Sequence, residues 1–176
     1  MTILLALIGL VVKYFNDLAM ARRKDRLDRV NLQLRLLYGP LFALTDATDA
    51  AWKQFRKQYR PGMPFFSKSR KPTDSELEAW RLWMVNVFMP MNRRMVEFIV
   101  SNADLLDGEM PRSFLGLVAH VTSYEVILAR WASNDFEVHV PEISFPEEIQ
   151  TVIRNNYNVL RDRQRALLAI TRVGIK

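Results

Sequence analysis

This chain of 176 residues has no cysteine and only two histidines. The lack of cysteine excludes disulfide bonds, zinc–thiolate sites and cysteine nucleophiles. The six glycines are scattered, and neither of the phosphate-binding motifs GxxxxGK[ST] and GxGxxG occurs. The GxSxG motif of serine hydrolases is missing as well. The sequence therefore offers no motif for thiol, phosphoryl-transfer or acyl-transfer chemistry, and it predicts no cofactor.

The composition predicts a folded chain. Hydrophobic residues make up 49% and charged residues 25%, which disfavours intrinsic disorder. The length fits one domain, and about 140 residues remain to form its core after a terminal anchor is removed.

The first twelve residues, MTILLALIGLVV, contain neither a charge nor a proline, and a cluster of basic residues follows them. An apolar segment with positive charge on one side is typical of a membrane anchor whose domain lies in the cytoplasm. We therefore predict a single-pass anchor over residues 1–21, with the N-terminus outside. The side chains expected in lipid are Ile3, Leu4, Leu5, Leu7, Ile8, Leu10, Val11 and Val12.

The anchor is marginal in length. Its apolar part rises roughly 17 Å as a helix, against about 30 Å of hydrocarbon. A longer segment that reaches Ala21 includes Lys13 and Asp17, and their cost nearly cancels the gain from the apolar residues. These two side chains are four residues apart and can pair on one face. A partner helix or other copies would then stabilise the segment, so we expect association. A secretory signal cleaved after residues 19–21 and a short buried helix remain as alternatives.

The net charge of +6 is distributed unevenly along the chain. Residues 13–35 carry +4, residues 53–72 carry +7 with no acidic residue, and residues 73–176 carry −3. Basic residues near a membrane surface are attracted to the anionic cytoplasmic leaflet, so we favour a lipid surface over nucleic acid, for which no reader motif is present. The predicted lipid-surface contacts are Arg22, Arg23, Lys24, Arg26, Phe65, Phe66, Lys68, Arg70 and Lys71. The alternative is that both phenylalanines fold back onto the core.

Apolar residues at spacings of three and four predict an all-α fold, in which the membrane helix continues into a cytoplasmic bundle of about five helices. We divide the chain into an anchor (1–21), a basic juxtamembrane helix (22–40) and a helical bundle (41–176). Gly39-Pro40 predicts a kink or break, and Pro90 predicts a bend. Thr73 and Glu76 have the spacing of a capping box, and residues 133–145 form a segment that could be an extended excursion.

A polar site can be drawn around His120. His120 and Tyr124 share a helical face, and Glu97, Arg93 and Arg94 lie on the preceding helix. His120 and Glu97 could serve acid–base chemistry or bind a metal, but the spacing matches no established ligand motif, and we predict no metal. Arg93 and Arg94 could receive an anion or an acidic partner. A buried histidine bonded to Tyr, Glu or a backbone carbonyl explains the same pattern.

These observations predict a membrane-anchored, non-enzymatic interaction protein such as a scaffold, an accessory subunit or a recruited effector. Its expected partners are the anionic leaflet and a protein, which could be a second copy. Three alternatives remain: an effector whose N-terminal helices assemble and breach the bilayer, an enzyme or metal protein that uses His120 and Glu97, and a nucleic-acid-binding protein.

Overall fold

The computed structural model describes the backbone of residues 2–67 and 69–173 and the side chains of residues 7–67 and 69–169. It is all-helical, with 78% helix and no strand in this part of the chain, which confirms the predicted fold class. The α-helices are α1 (Thr2–Leu32), α2 (Gly39–Tyr59), α3 (Asp74–Trp83), α4 (Met89–Ser101), α5 (Arg112–Ala132) and α6 (Ile149–Val173).

Two π-helical turns join four of these helices in pairs. The turn Gln33–Tyr38 connects α1 to α2, and the turn Met84–Phe88 connects α3 to α4. The prediction of about five helices in addition to an anchor is therefore wrong, since the described chain forms about four long helices. The first runs without interruption from residue 2 to residue 59 and is about 85 Å long at the usual helical rise.

The π-helical turns explain why the two prolines do not break the helices. Each turn ends two residues before a proline, Pro40 in one case and Pro90 in the other. A proline lacks an N–H group and its ring crowds the carbonyl four residues back. In each turn the residue before the proline donates five residues back instead, Gly39 to the oxygen of Leu34 and Met89 to that of Met84. The wider turn replaces the predicted break at Gly39-Pro40.

Helix α6 lies antiparallel along the first long helix. Near its start, Arg154 bonds Asp46 at 2.6 Å, and Tyr157 stacks on Phe42 with 4.6 Å between ring centroids. Farther along, Gln164 donates to the side chain of Asn31 at 2.6 Å. Arg23 donates to the carbonyl oxygen of Leu167 near the C-terminal end of α6. Farther toward the N-terminus, the side chains of residues 7–17 are all exposed.

The segment between α2 and α3 is fixed by a buried arginine. Arg60 is 1% exposed and pairs with Glu76 at 2.7 Å, and it also donates to the backbone carbonyls of Arg70 and Lys71 at 2.5 and 2.7 Å. The predicted capping box between Thr73 and Glu76 is confirmed. The Glu76 carboxylate therefore caps the start of α3 and also neutralises the buried Arg60.

The division into an anchor, a juxtamembrane helix and a bundle does not correspond to breaks in the structure. The second half of the segment 22–40 contributes Val30, Leu34, Leu37 and Tyr38 to the hydrophobic core. Within the described residues, none of the helices combines the length and the apolar content that crossing a membrane requires.

Candidate functional site

The first part of α1 is exposed on every face. All side chains from residue 7 to residue 17 are exposed, and we call these residues the exposed N-terminal segment. They include Leu7, Ile8, Leu10, Val11, Val12, Tyr14 and Phe15, each at least half exposed. Helices of globular proteins normally bury an apolar stripe against a neighbouring element. No described part of the chain covers this segment.

Five of the predicted anchor side chains therefore lie where an external apolar phase can reach them. Leu7, Ile8, Leu10, Val11 and Val12 all belong to the exposed N-terminal segment. The side chains of Ile3, Leu4 and Leu5 lie outside the described residues.

The basic residues that follow α1's exposed segment have different surroundings. Arg22, Lys24 and Arg26 are exposed, whereas Arg23 is half-buried and bonded to the Leu167 carbonyl. Three cations therefore remain available next to the exposed N-terminal segment.

The second basic region is distant from the first. Lys53 lies 24 residues after Arg29 in the same continuous helix, a separation of about 36 Å along the axis. Lys53, Arg56 and Lys57 line a surface pocket of about 450 Å³, in which Arg56 Nε is buried without a hydrogen-bond partner among the described residues. The structure therefore separates the two basic regions that we expected to act on one lipid surface.

The predicted aromatic contacts with lipid are partly wrong. Phe65 is 2% exposed and stacks on Trp80, with 5.3 Å between centroids. Phe66 is 38% exposed and meets the same tryptophan edge-on. Both rings fold back because the segment 60–73 is tied down by Arg60. The side chains of Arg70 and Lys71 are exposed, and Lys68 lies outside the described residues.

A cavity of about 640 Å³ lies between α2, the α3–α4 helix, α5 and the segment that leads to α6. Its apolar wall includes Trp52, Trp80, Phe88 and Phe145. Asn92, His120 and Tyr124 add polar groups inside, and Glu147 also lines it. This volume is in the range of small-molecule sites.

Most hydrogen-bond donors on the cavity wall are already used by backbone carbonyls. Trp80 and Tyr124 both donate to the oxygen of His139, at 3.0 and 2.9 Å. His120 Nδ1 lies 2.7 Å from the oxygen of Ile143, so Nδ1 bears the proton and Nε2 is left as an acceptor. These bonds fasten the segment 133–148 over the cavity. No helix forms within residues 133–145, which agrees with the excursion predicted there.

Both titratable rings are uncharged at neutral pH. Burial lowers the pKa of His120, although its bond to Ile143 opposes that change. Burial raises the pKa of Tyr124 well above its ordinary value. His120 is therefore a neutral acceptor, which agrees with the alternative of a buried histidine bonded to a carbonyl.

The structure brings His120 and Tyr124 together, with 5.4 Å between ring centroids, but it separates them from the other predicted polar residues. Glu97 is exposed and pairs with Arg94 at 3.7 Å. Arg93 binds Glu125 at 2.7 Å in an exposed pair between α4 and α5. None of these charged side chains lines the cavity. In the described residues, no three metal-binding side chains come together.

Sequence reasoning missed Asn92 and Glu147. Asn92 is 3% exposed, lines the cavity, and its Oδ1 has no hydrogen-bond partner among the described residues. The signal in the sequence is a polar residue within the apolar stripe Phe88–Met95. No protein-family model, curated protein or solved structure matches this chain.

Proposed function

We propose that this protein is a membrane-attached helical interaction protein, whose exposed N-terminal segment inserts into a bilayer and displays the bundle on the cytoplasmic side. The observation that supports this proposal is the exposure of residues 7–17 on all helical faces. Transfer of seven large apolar side chains out of water would contribute on the order of 10 kcal/mol. This gain offsets the cost of bringing Lys13 and Asp17 toward lipid, and no described part of the chain covers these apolar side chains.

The charges next to this segment favour an anionic surface. Arg22, Lys24 and Arg26 are exposed where the segment joins the bundle, and each basic residue near an anionic leaflet contributes about 1 kcal/mol of attraction. Positive charge at the C-terminal end of the inserted segment favours a cytoplasmic bundle.

The basic region around Lys53 is placed to bind a protein partner and not the membrane. A bilayer that holds the N-terminal segment upright would leave Lys53 and its pocket far from lipid, because about 36 Å of helix separates Lys53 from Arg29. The pocket with Lys53, Arg56 and Lys57 is then available to an acidic protein partner. We infer that the membrane end and the partner end lie at opposite ends of the long helix.

Flotation with vesicles tests this function. Full-length protein should float with vesicles that contain anionic phospholipid, and deletion of residues 1–21 should leave it at the bottom of the gradient. Simultaneous substitution of Arg22, Lys24 and Arg26 by glutamine should weaken binding and make it less sensitive to salt. The matched control replaces Lys53, Arg56 and Lys57 and should float like the original protein. Equal flotation of the full-length and truncated chains would contradict the proposal.

Assembly of several copies is a second candidate, which the polar residues of the same segment favour. Lys13, Asn16 and Asp17 are exposed between apolar side chains, and lipid tails cannot satisfy such groups. Copies that face each other through these residues would bury them. Vesicles loaded with a self-quenched dye should then leak when the full-length chain is added and stay sealed with Lys13→Leu; absence of leakage would exclude this candidate.

A further inference from the structure

The cavity beneath the segment 133–148 has features of a binding site that membrane attachment does not require. We propose that it binds a small molecule with an aromatic or alicyclic body and a hydrogen-bond-donating amine. Three observations support this ligand class: an unpartnered acceptor on a residue that lines the cavity, a wall whose donors are largely used, and a carboxylate that lines it and has no ion pair with another described residue.

Asn92 is the first observation. Its side chain is almost completely buried, and Oδ1 meets no donor among the described residues. A buried polar atom without a partner is costly and uncommon in folded proteins. Asn92 lies between Met91 and Arg93 on α4 and lines the cavity, so a donor on a bound molecule would complete its hydrogen bonding.

The wall around Asn92 offers further acceptors. Besides Trp80, Tyr124 and His120, Thr45 and Thr48 donate their hydroxyl protons to the carbonyls of Leu41 and Leu44, at 2.9 and 2.8 Å. Their oxygen lone pairs and His120 Nε2 remain as acceptors. A ligand that brings donors fits this wall better than one that brings more acceptors.

The charge of the lining favours a cation over an anion. The lining contains Asp49 and Glu147 but neither Lys nor Arg among the described residues. Asp49 is neutralised by Lys53 at 2.6 Å, whereas Glu147 is exposed and has no ion pair with another described residue. A protonated amine would be attracted by Glu147, and a carboxylate would be repelled.

The apolar wall selects the rest of the ligand. Trp52, Trp80 and Phe88 meet one another at centroid distances of 5.8 to 6.3 Å, and all three line the cavity. Such a cluster packs against a ring system, and aromatic faces also attract an ammonium group. The volume of about 640 Å³ accommodates two or three fused rings.

Calorimetric titration with two matched probes tests the proposal. The full-length chain, in a nanodisc of zwitterionic lipid, is titrated with 1-naphthylmethylamine and with 1-naphthylacetate, and the heat from empty nanodiscs is subtracted. These probes share one ring system and differ in the sign of their charge. We expect the amine to bind at least roughly tenfold more tightly than the carboxylate, which corresponds to one charge-assisted hydrogen bond.

Two pairs of variants assign the binding to this cavity. Glu147→Gln should reduce the preference for the amine, whereas Glu148→Gln, at the neighbouring exposed position, should retain it. Asn92→Leu should weaken amine binding by roughly tenfold, whereas Asn86→Leu, at an exposed position of the π-helical turn before α4, should leave it unchanged. Because Glu147 is exposed, Glu147→Gln keeps the test valid even if Asn92→Leu fails to fold.

The results that would overturn the proposal are specific. Absence of binding by the amine would exclude the ligand class. Equal or tighter binding of the carboxylate would exclude recognition by charge, and equal effects within either pair of variants would place the binding elsewhere.

Discussion

Gly39 occupies the position where the first long helix accommodates a proline. A Cβ atom at this residue would clash with the carbonyl oxygen of Leu34, which is the acceptor of the Gly39 N–H group in the π-helical turn. If the backbone moved away from this contact, the hydrogen bond from Gly39 to Leu34 would break. That bond replaces the one that Pro40 cannot form. Glycine is therefore required here by close approach, and its φ of −66° is ordinary.

Gly39→Ala should accordingly destabilise the protein by about 1–3 kcal/mol, the usual cost of overpacking. Gly116→Ala is the matched control, since its Cβ would meet only the Pro146 side chain at an ordinary 3.5 Å and alanine favours a helix by about 0.5–1 kcal/mol. Urea unfolding monitored by circular dichroism measures both changes. Equal free energies of unfolding for Gly39→Ala and the original chain would contradict the close contact.

Glu76 should make stability depend on pH in the acid range. Its hydrogen bonds to Arg60 and Thr73 lower its pKa from an ordinary 4.5 to about 2. The unfolded chain therefore takes up this proton more readily than the folded chain, and the stabilisation by the carboxylate, complete above about pH 4.5, is lost as the pH falls toward 2. The melting temperature should fall over this interval.

Glu76→Gln should lower the melting temperature at neutral pH and flatten its decrease between pH 4.5 and pH 2, because glutamine does not titrate. Glu78→Gln, at an exposed position of the same helix, should leave the profile unchanged. Thermal unfolding by circular dichroism at a series of pH values gives both curves. Parallel curves for Glu76→Gln and the original chain would show that the Arg60–Glu76 pair does not determine acid stability.

Single residues differed in how well the sequence predicted them. Leu37, Leu41 and Trp80 are buried, as their helical spacing indicated. Arg60 could not be predicted, because a cation within a strongly basic stretch is normally solvated, and its burial depends on carbonyls and a carboxylate supplied by later residues. The roles of Asn92 and Glu147 also depend on which helices meet around them.

The exposed N-terminal segment and the part of the long helix that α6 covers should differ in hydrogen exchange. Residues 7–17 have no neighbouring element among the described residues, whereas α6 covers the long helix between Arg23 and Asp46. In aqueous buffer, amides of residues 7–17 should exchange much faster than those of residues 30–46, because an unsupported helix end opens easily. Mass spectrometry of peptic fragments resolves these regions.

Addition of anionic vesicles should then slow exchange in residues 7–17 and leave residues 30–46 unchanged. Strong protection of residues 7–17 in buffer alone would indicate self-association in water. Unchanged exchange after addition of vesicles would contradict membrane insertion.

At the level of elements, the sequence predicted helices better than their connections. The apolar periods identified the helices, and Thr73 and Glu76 marked the start of α3. The sequence predicts a kink or break at Pro40 and a bend at Pro90, because the local effect of a proline is to remove a hydrogen bond. The five-residue donation by Gly39 and Met89 is visible only in three dimensions. The sequence predicts that residues 133–145 lie outside the helices, but the role of this segment as the wall of a cavity depends on donors from α3 and α5.

At the scale of the whole molecule, the continuous long helix separates two basic regions that the sequence predicts to contact one lipid surface. The charges at residues 22–29 and 53–71 resemble each other in sequence, yet about 36 Å of helix lies between Arg29 and Lys53. Composition alone cannot reveal that separation. The proposed separation of a membrane end and a partner end follows from the uninterrupted helix.

The most direct test of membrane attachment is the depth of residue 12 in a bilayer. The chain has no cysteine, so Val12→Cys can be labelled with an environment-sensitive fluorophore at a single position. Val159→Cys, at a similarly exposed site on α6, is the matched control. With anionic vesicles, the fluorophore at residue 12 should shift to the blue and be quenched by lipids brominated on their acyl chains, while the fluorophore at residue 159 should keep its aqueous spectrum. An aqueous spectrum at residue 12, or equal quenching at both positions, would contradict insertion of the N-terminal segment.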